Sequence, residues 1–152
     1  MSETVHGTAV LAGSQGVLIR GPSGSGKSML AAALISRGAK LVADDRVHLS
    51  ACHGRVVATA PAAIAGILEL RGRGLISVPL ERSAVIRLLV DIVAGEQLER
   101  HPATEELSGT VLGVTLPRQP LDGAVECALI LVDAALAGLP ARRDMGLRSS
   151  RV

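Results

Sequence analysis

The chain has 152 residues, 48% hydrophobic and 20% charged, with a net charge of +2 and no Phe, Tyr or Trp. That length and balance predict one packed globular domain whose core is filled by Leu, Ile, Val, Ala and Met. They exclude aromatic stacking platforms for single-stranded nucleic acid. They also exclude a basic nucleic-acid face, because Ala141–Val152 alone carries +3 through Arg142, Arg143, Arg148 and Arg151 against Asp144, leaving −1 elsewhere.

In chain order, "AVLAGSQGVLIR" is an apolar stretch, a Gly-Ser-Gln-Gly turn and a second apolar stretch, predicting a hairpin that ends at Arg20. A loop follows from Gly21. "SMLAAALISRG" predicts a largely buried helix with Gly38 as its C-cap. "AKLVADD" predicts a short strand ending in Asp44 and Asp45, and "RVHLSACHGRVVATA" a second hairpin turning at His53-Gly54. Pro61 suits the first turn of a short helix through "AAIAGILEL". The glycines of "RGRGLISVPL" would let the backbone pass close to another segment. "SAVIRLLVDIVA" is a strand, "EQLERHPATEELSG" a polar loop, and "TVLGVTLPRQPL" an extended piece that Pro117 and Pro120 confine to an edge or a loop. "AVECALILVDAALAGL" is too short and too interrupted by Glu126 and Asp133 to span a membrane, and is predicted as a buried helix. Residues 141–152 are expected to be a basic, flexible tail.

Cys52 and Cys127 lie far apart without a CxxC pattern, which predicts reduced thiols in a cytosol rather than a disulfide or zinc site. No signal-peptide pattern opens the chain.

The chemistry concentrates at "GPSGSGKS", which fits G-x-x-x-x-G-K-[ST] through Gly21, Gly26, Lys27 and Ser28. A strand before the loop and a helix after it aim free backbone N–H groups and a helix dipole at phosphate. Gly21, Pro22, Ser23, Gly24, Ser25, Gly26, Lys27, Ser28 and Met29 are therefore the predicted nucleotide-binding residues, for ATP or GTP. Lys27 would reach the β- and γ-phosphates, and the Ser28 hydroxyl would ligate Mg²⁺. A plain helix cap would have no use for the lysine.

Phosphoryl transfer also needs carboxylates. Three apolar runs end in one: Asp44-Asp45, Asp91 and Asp133. The doublet has the strongest case, since it offers one group for the metal and one for the incoming hydroxyl. Asp133 reads as an exposed helical position. For Asp91, a solvated strand end and a metal role are equally consistent with the spacing.

Four blocks in order, "VHG" (Val5–Gly7), "GPSGSGKS", "RGAKLVADDRV" (Arg37–Val47) and "LELRGRGLISV" (Leu68–Val78), resemble the HPr kinase/phosphorylase family. The last block is similar to its signature E-[IL]-R-G-x-G-[IL]. The chain looks like the catalytic domain standing alone, over residues 1–140, in the short form met in alphaproteobacteria. The resemblance implies a protein serine kinase that phosphorylates a seryl residue of the phosphocarrier HPr with ATP or pyrophosphate. It also implies the reverse reaction, in which inorganic phosphate removes the group as pyrophosphate. It implies Asp44 as base, His6 beside Asp44, and Ser28, Asp45 and Glu69 around Mg²⁺. Arg100 would sit on a loop near the acceptor, stabilising transferred charge together with Lys27. A homo-oligomer, hexameric in the family, follows in the same way, whereas composition, the length of the apolar runs and the cysteine usage are what point to neither nucleic acid nor membrane as partner and to a cytoplasmic location.

Two other readings share the phosphate loop. A small-molecule kinase of the shikimate or nucleotide type usually carries a D-x-D pair and an arginine-rich lid, which this chain lacks. A non-catalytic nucleotide-binding module has no need to keep Lys27, Ser28, Asp44 and Glu69 together. The expected architecture is a single α/β domain with a mixed central sheet flanked by helices. The early hairpins do not suit an all-parallel sheet, and the family core resembles phosphoenolpyruvate carboxykinase.

Overall fold

A computed structural model of the chain describes residues 1–61 and 65–140. Among the described residues nine strands and two α-helices run in the order β1 (Ser2–Ala12), β2 (Gln15–Arg20), α1 (Lys27–Ile35), β3 (Lys40–Cys52), β4 (Arg55–Thr59), β5 (Ile67–Leu70), β6 (Gly74–Ser77), β7 (Ser83–Ile92), β8 (Ser108–Val111), β9 (Val114–Leu121) and α2 (Val125–Ala137). The first hairpin ends at Arg20 as predicted.

The main sheet has the order β2-β1-β3-β4-β7-β9-β8, and β2 also pairs with β7. Pairings therefore run β2–β1–β3–β4–β7–β2 without a break. The contacts β2–β7 and β7–β9 are parallel and the rest antiparallel, so the sheet is mixed. Side chains alternate across it. Val10, Val17, Ile19, Leu88 and Val90 face Leu30 and Leu34 of α1 and Val132 of α2. Ala9, Leu18, Ile86 and Leu89 face the other way, with Val47, Leu49 and Val56, into a second apolar cluster. Both faces are dry, which explains why "GVLI" and "LLVDI" read as nearly continuous apolar runs.

Three expectations are corrected. "AKLVADD" and "RVHLSAC" form one 13-residue strand, β3, instead of a short strand followed by a hairpin arm. The predicted short helix after Pro61 falls in part on residues 62–64, outside the described residues, and Ile67–Leu70 is a strand. There, alternation of Leu68 and Leu70 with Glu69 overrides the helical spacing. As Pro117 and Pro120 require, β9 has an open side along its whole length: it pairs with β8 over Val114–Pro117 and with β7 over Arg118–Leu121. No stretch of it is paired on both sides at once, so Pro117 and Pro120 cost few ladder bonds. Finally, α2 is not buried all round. Only Ala128 and Val132 are buried, and Ile130 is 69% exposed.

In "RGRG", an added Cβ on Gly72 or Gly74 would meet nothing within 4 Å, so close approach is not their role. Their φ values of 94° and 101° are left-handed turn geometry that side chains resist. Among the described residues no helix is long and apolar enough to cross a membrane. The predicted tail 141–152 lies outside the described residues. Cys52 and Cys127 are both free and exposed.

Candidate active site

The site begins where β2 stops. After Arg20 the chain turns through Gly21–Gly26 and enters α1 at Lys27, with Gly26 as N-cap at φ 109°. No acid occupies the first turn of α1, so the positive end of its dipole is left for an anion. Lys27 is 7% exposed, and its Nζ donates to the carbonyls of Gly21 (2.8 Å) and Pro22 (2.9 Å). The ammonium is thereby pinned across the mouth of its own loop. Ser25 Oγ is buried there without a hydrogen-bond partner. A buried hydroxyl with no partner costs about 1–3 kcal/mol, and a phosphate oxygen is one acceptor that would relieve it.

The loop forms one wall of a cavity of about 500 Å³. β1 contributes His6 and Thr8, two residues apart and so on one face of the strand. β3 contributes both Asp44 and Asp45. Neighbours in a strand normally point to opposite faces. Asp45 escapes that rule because its φ is 71°, a left-handed conformation costing of order 1–3 kcal/mol that clusters at functional sites. From the β5–β6 hairpin come Glu69 and Arg71.

Within the cavity Asp44 Oδ1 accepts from Thr8 Oγ1 (2.8 Å) and from Ser28 Oγ (2.9 Å), while its Oδ2 accepts a long bond from the Glu69 N–H (3.4 Å). His6 was expected beside Asp44. Its Nδ1 lies instead 3.3 Å from Asp45 Oδ1, with both side chains at least half exposed. Strand register accounts for this: Gly7 is opposite Asp45 and Thr8 opposite Asp44, so the buried partner of Asp44 is the threonine.

Among the described residues no three His, Cys, Asp or Glu side chains converge at metal-ligating spacing. Ser28, Asp45 and Glu69 nevertheless line the same cavity. A few oxygen ligands of that kind suit Mg²⁺, whose remaining positions are normally taken by water and substrate phosphates.

Other candidates fall elsewhere. Arg100 does not line the cavity; it lies between 3-10 turns at Gly95–Gln97 and Thr104–Leu107. Asp133 is an exposed helical position paired with Arg37 (2.6 Å). Asp91 is neither a solvated strand end nor a metal ligand. Its carboxylate takes a two-pronged contact from Arg20 (2.7 and 2.9 Å) and a further bond from Arg118 Nε, at 16% side-chain exposure. Burial alone would raise its pKa, but hydrogen bonds from Arg20 and Arg118, with their charges, hold the carboxyl below the ordinary value. Arg71 had no role assigned from sequence; the signal was its spacing two residues after Glu69, just past the end of β5.

The sequence profile described as HPr Serine kinase C-terminal domain matches residues 1–121. The chain belongs to this family. A protein named HPr kinase/phosphorylase from Bordetella pertussis is 37% identical over 145 residues, covering 88% of this chain and 47% of that protein. Its namesake from Clostridium tetani is 45% identical over 75 residues, covering 49% of this chain and 25% of that protein. This chain thus spans about half, or less, of the curated relatives it matches. A solved structure described as the Hpr(Ser) kinase/phosphatase from Coxiella burnetii superposes with a TM-score of 0.76 at 26% identity, covering 89% of this chain and 91% of that one. Its likeness extends to a P-loop nucleotide-binding core in a mixed α/β fold.

Proposed function

We propose that the chain is an ATP-dependent protein serine kinase whose acceptor is a seryl hydroxyl of an HPr-like phosphocarrier, acting in the cytoplasm and as a homo-oligomer. The observation that carries this reading is Asp44. It already holds two hydroxyl hydrogen bonds, from Thr8 and Ser28, at the start of a phosphate-loop helix. A seryl hydroxyl presents the same donor to the same carboxylate, and a base must lie within hydrogen-bond reach of the proton it takes. The names of the relatives support the acceptor.

The loop amides, the α1 N-terminus and Lys27 bind the donor phosphates. Mg²⁺, held by Ser28, Asp45 and Glu69, would neutralise charge on the phosphates. Asp44 orients the acceptor hydroxyl and takes its proton as the seryl oxygen bonds to the transferred phosphorus, while the bond from phosphorus to the departing phosphate oxygen breaks. In the reverse direction Asp44 returns the proton to the seryl oxygen as inorganic phosphate attacks and pyrophosphate forms. His6, against Asp45, helps set that carboxylate's orientation. The walls of the cavity are the phosphate loop with the start of α1 and side chains of β1, β3 and the β5–β6 hairpin.

The test is intact-mass spectrometry of the HPr-like protein after incubation with the chain, Mg²⁺ and ATP. One added phosphate on a serine, lost with Asp44→Asn, is the expected result. An unmodified HPr in the presence of bound ATP would refute this acceptor.

A further inference from the structure

Resting on the reading of Gly21–Ser28 as a phosphate-binding loop, we propose that Gly123, in the turn between β9 and α2, is a positioning residue that aims the Gly26 amide at the donor phosphates. A Cβ added to Gly123 would stand 2.7 Å from the carbonyl oxygen of Ser25 and 3.8 Å from its carbonyl carbon. Side chains do not approach a backbone oxygen so closely, so the Ser25 carbonyl lies where it does only because residue 123 has no Cβ. Gly24 and Gly26 sit in the left-handed region at φ 77° and 109°, but Gly123 does not. What position 123 requires of glycine is therefore space, not backbone freedom.

The contact fixes a direction. A trans peptide is planar, with its C=O and N–H on opposite sides. Gly123 lies behind the loop and lines no part of the cavity, whereas Gly26 does line it. With the Ser25 carbonyl turned back against Gly123, the N–H of Gly26, in the same peptide, is turned the other way, to the cavity side. Gly26 is the N-cap of α1, so this amide adds to the positive end of the helix. Ser25 is held from its side chain as well, since a Cβ on Gly21 would stand 2.7 Å from Ser25 Oγ. The turn behind the peptide is itself fixed. The carbonyl of buried Leu121 accepts from the Val93 N–H just past β7 (2.8 Å), and Asp122 Oδ1 accepts from the Ala124 N–H (3.0 Å). The start of α2 thereby acts on phosphate binding through the loop backbone. Such an amide reads neither base nor ribose, so the effect extends to any chain of phosphates that enters the loop.

The experiment compares binding of Mg·ATP, Mg·ADP and magnesium pyrophosphate by titration calorimetry for the wild type, Gly123→Ala and Gly138→Ala. The last adds the same methyl at the other end of α2, where it would meet ordinary contacts at 3.6 Å. Gly123→Ala is expected to weaken all three ligands about ten- to a hundredfold, as for the loss of a hydrogen bond to a charged group. Gly138→Ala is expected to leave them within about twofold. Thermal unfolding of each variant separates the alternatives: a merely structural role lowers Tm and leaves the affinities alone. Unchanged affinities in Gly123→Ala, or weakening of the nucleotides without pyrophosphate, overturn the role of Gly123. If Gly123→Ala does not fold, the wild type decides. With ¹⁵N-glycine labelling, the Gly26 amide proton is expected to move downfield as magnesium pyrophosphate binds, and an unmoved signal overturns the proposal. A wild type that binds none of the three refutes the phosphate-loop reading and this proposal with it. Binding without transfer to HPr refutes only the acceptor, and the comparison of affinities still decides Gly123.

Discussion

Asp91 is the most heavily charged junction of the fold, and replacing it by alanine has a predictable cost. Arg20 ends β2, Asp91 stands opposite it near the end of β7, and Arg118 lies on β9, so one carboxylate ties three neighbouring strands. Arg118 Nη1 additionally donates to the carbonyl of Glu106, tying in the segment before β8. Arg20 and Arg118 side chains are 33% and 23% exposed and Asp91 only 16%. Removing one partner of a buried ion pair costs about 3–5 kcal/mol. Partial exposure of the two arginines reduces that to roughly 2–4 kcal/mol, because water can reach the orphaned guanidinium groups. At roughly 2–4 °C per kcal/mol for a chain of this size, Asp91→Ala should lower Tm by about 5–15 °C. Circular dichroism or calorimetry is the assay, since the chain has no Trp or Tyr to report unfolding. The pH dependence gives an independent check. The folded carboxyl binds its proton less tightly than the unfolded one, whose ordinary pKa is 3.8, so the stabilisation is complete well above pH 3.8. It fades as pH falls through 3.8 toward the lower folded value. Wild-type stability should therefore fall more steeply than that of Asp91→Ala below about pH 4. A Tm drop under 2 °C with parallel acid profiles would refute the reasoning.

Other expectations are simpler to test. Lys27→Ala should reduce Mg·ATP affinity at least tenfold by calorimetry, because it removes the cation that the loop carbonyls hold at the phosphate site. Gly16→Ala should destabilise by about 1–3 kcal/mol in urea titrations, since its Cβ would stand 2.4 Å from the Val85 carbonyl oxygen, a backbone atom that cannot step aside. Leu68→Ala should cost about 2–5 kcal/mol in the same titrations, as expected for a fully buried leucine, and should loosen the hairpin that presents Glu69 and Arg71.

The phosphate loop was legible because its signal is local. Gly21, Gly26, Lys27 and Ser28 act through backbone conformation and helix polarity over eight consecutive residues, and no distant partner is needed to recognise them. The first hairpin, β7 and the doublet Asp44-Asp45 were legible for the same reason. Errors arose where a pairing partner outside the segment decides its conformation. β3 continues past Asp45 because β1 and β4 pair along its length, and Ile67–Leu70 pairs with Gly74–Ser77 instead of coiling. A 16-residue apolar run looks wholly buried until its outer face proves to have no covering element among the described residues.

By itself, the sequence determined a single mixed α/β domain with a phosphate loop followed by an acid doublet, because patterns of period two and the glycine-lysine-serine spacing are properties of short segments. Only the tertiary structure decided which side chain faces which. Register between β1 and β3 gives Thr8 to Asp44 and His6 to Asp45. Parallel pairing of β2 with β7 gives Arg20 to Asp91, and the inward packing of Leu68 and Leu70 sends Glu69 to the cavity. Such pairings depend on contacts between residues as many as 71 positions apart, and a one-residue slip in register would send every side chain of a strand to the opposite face.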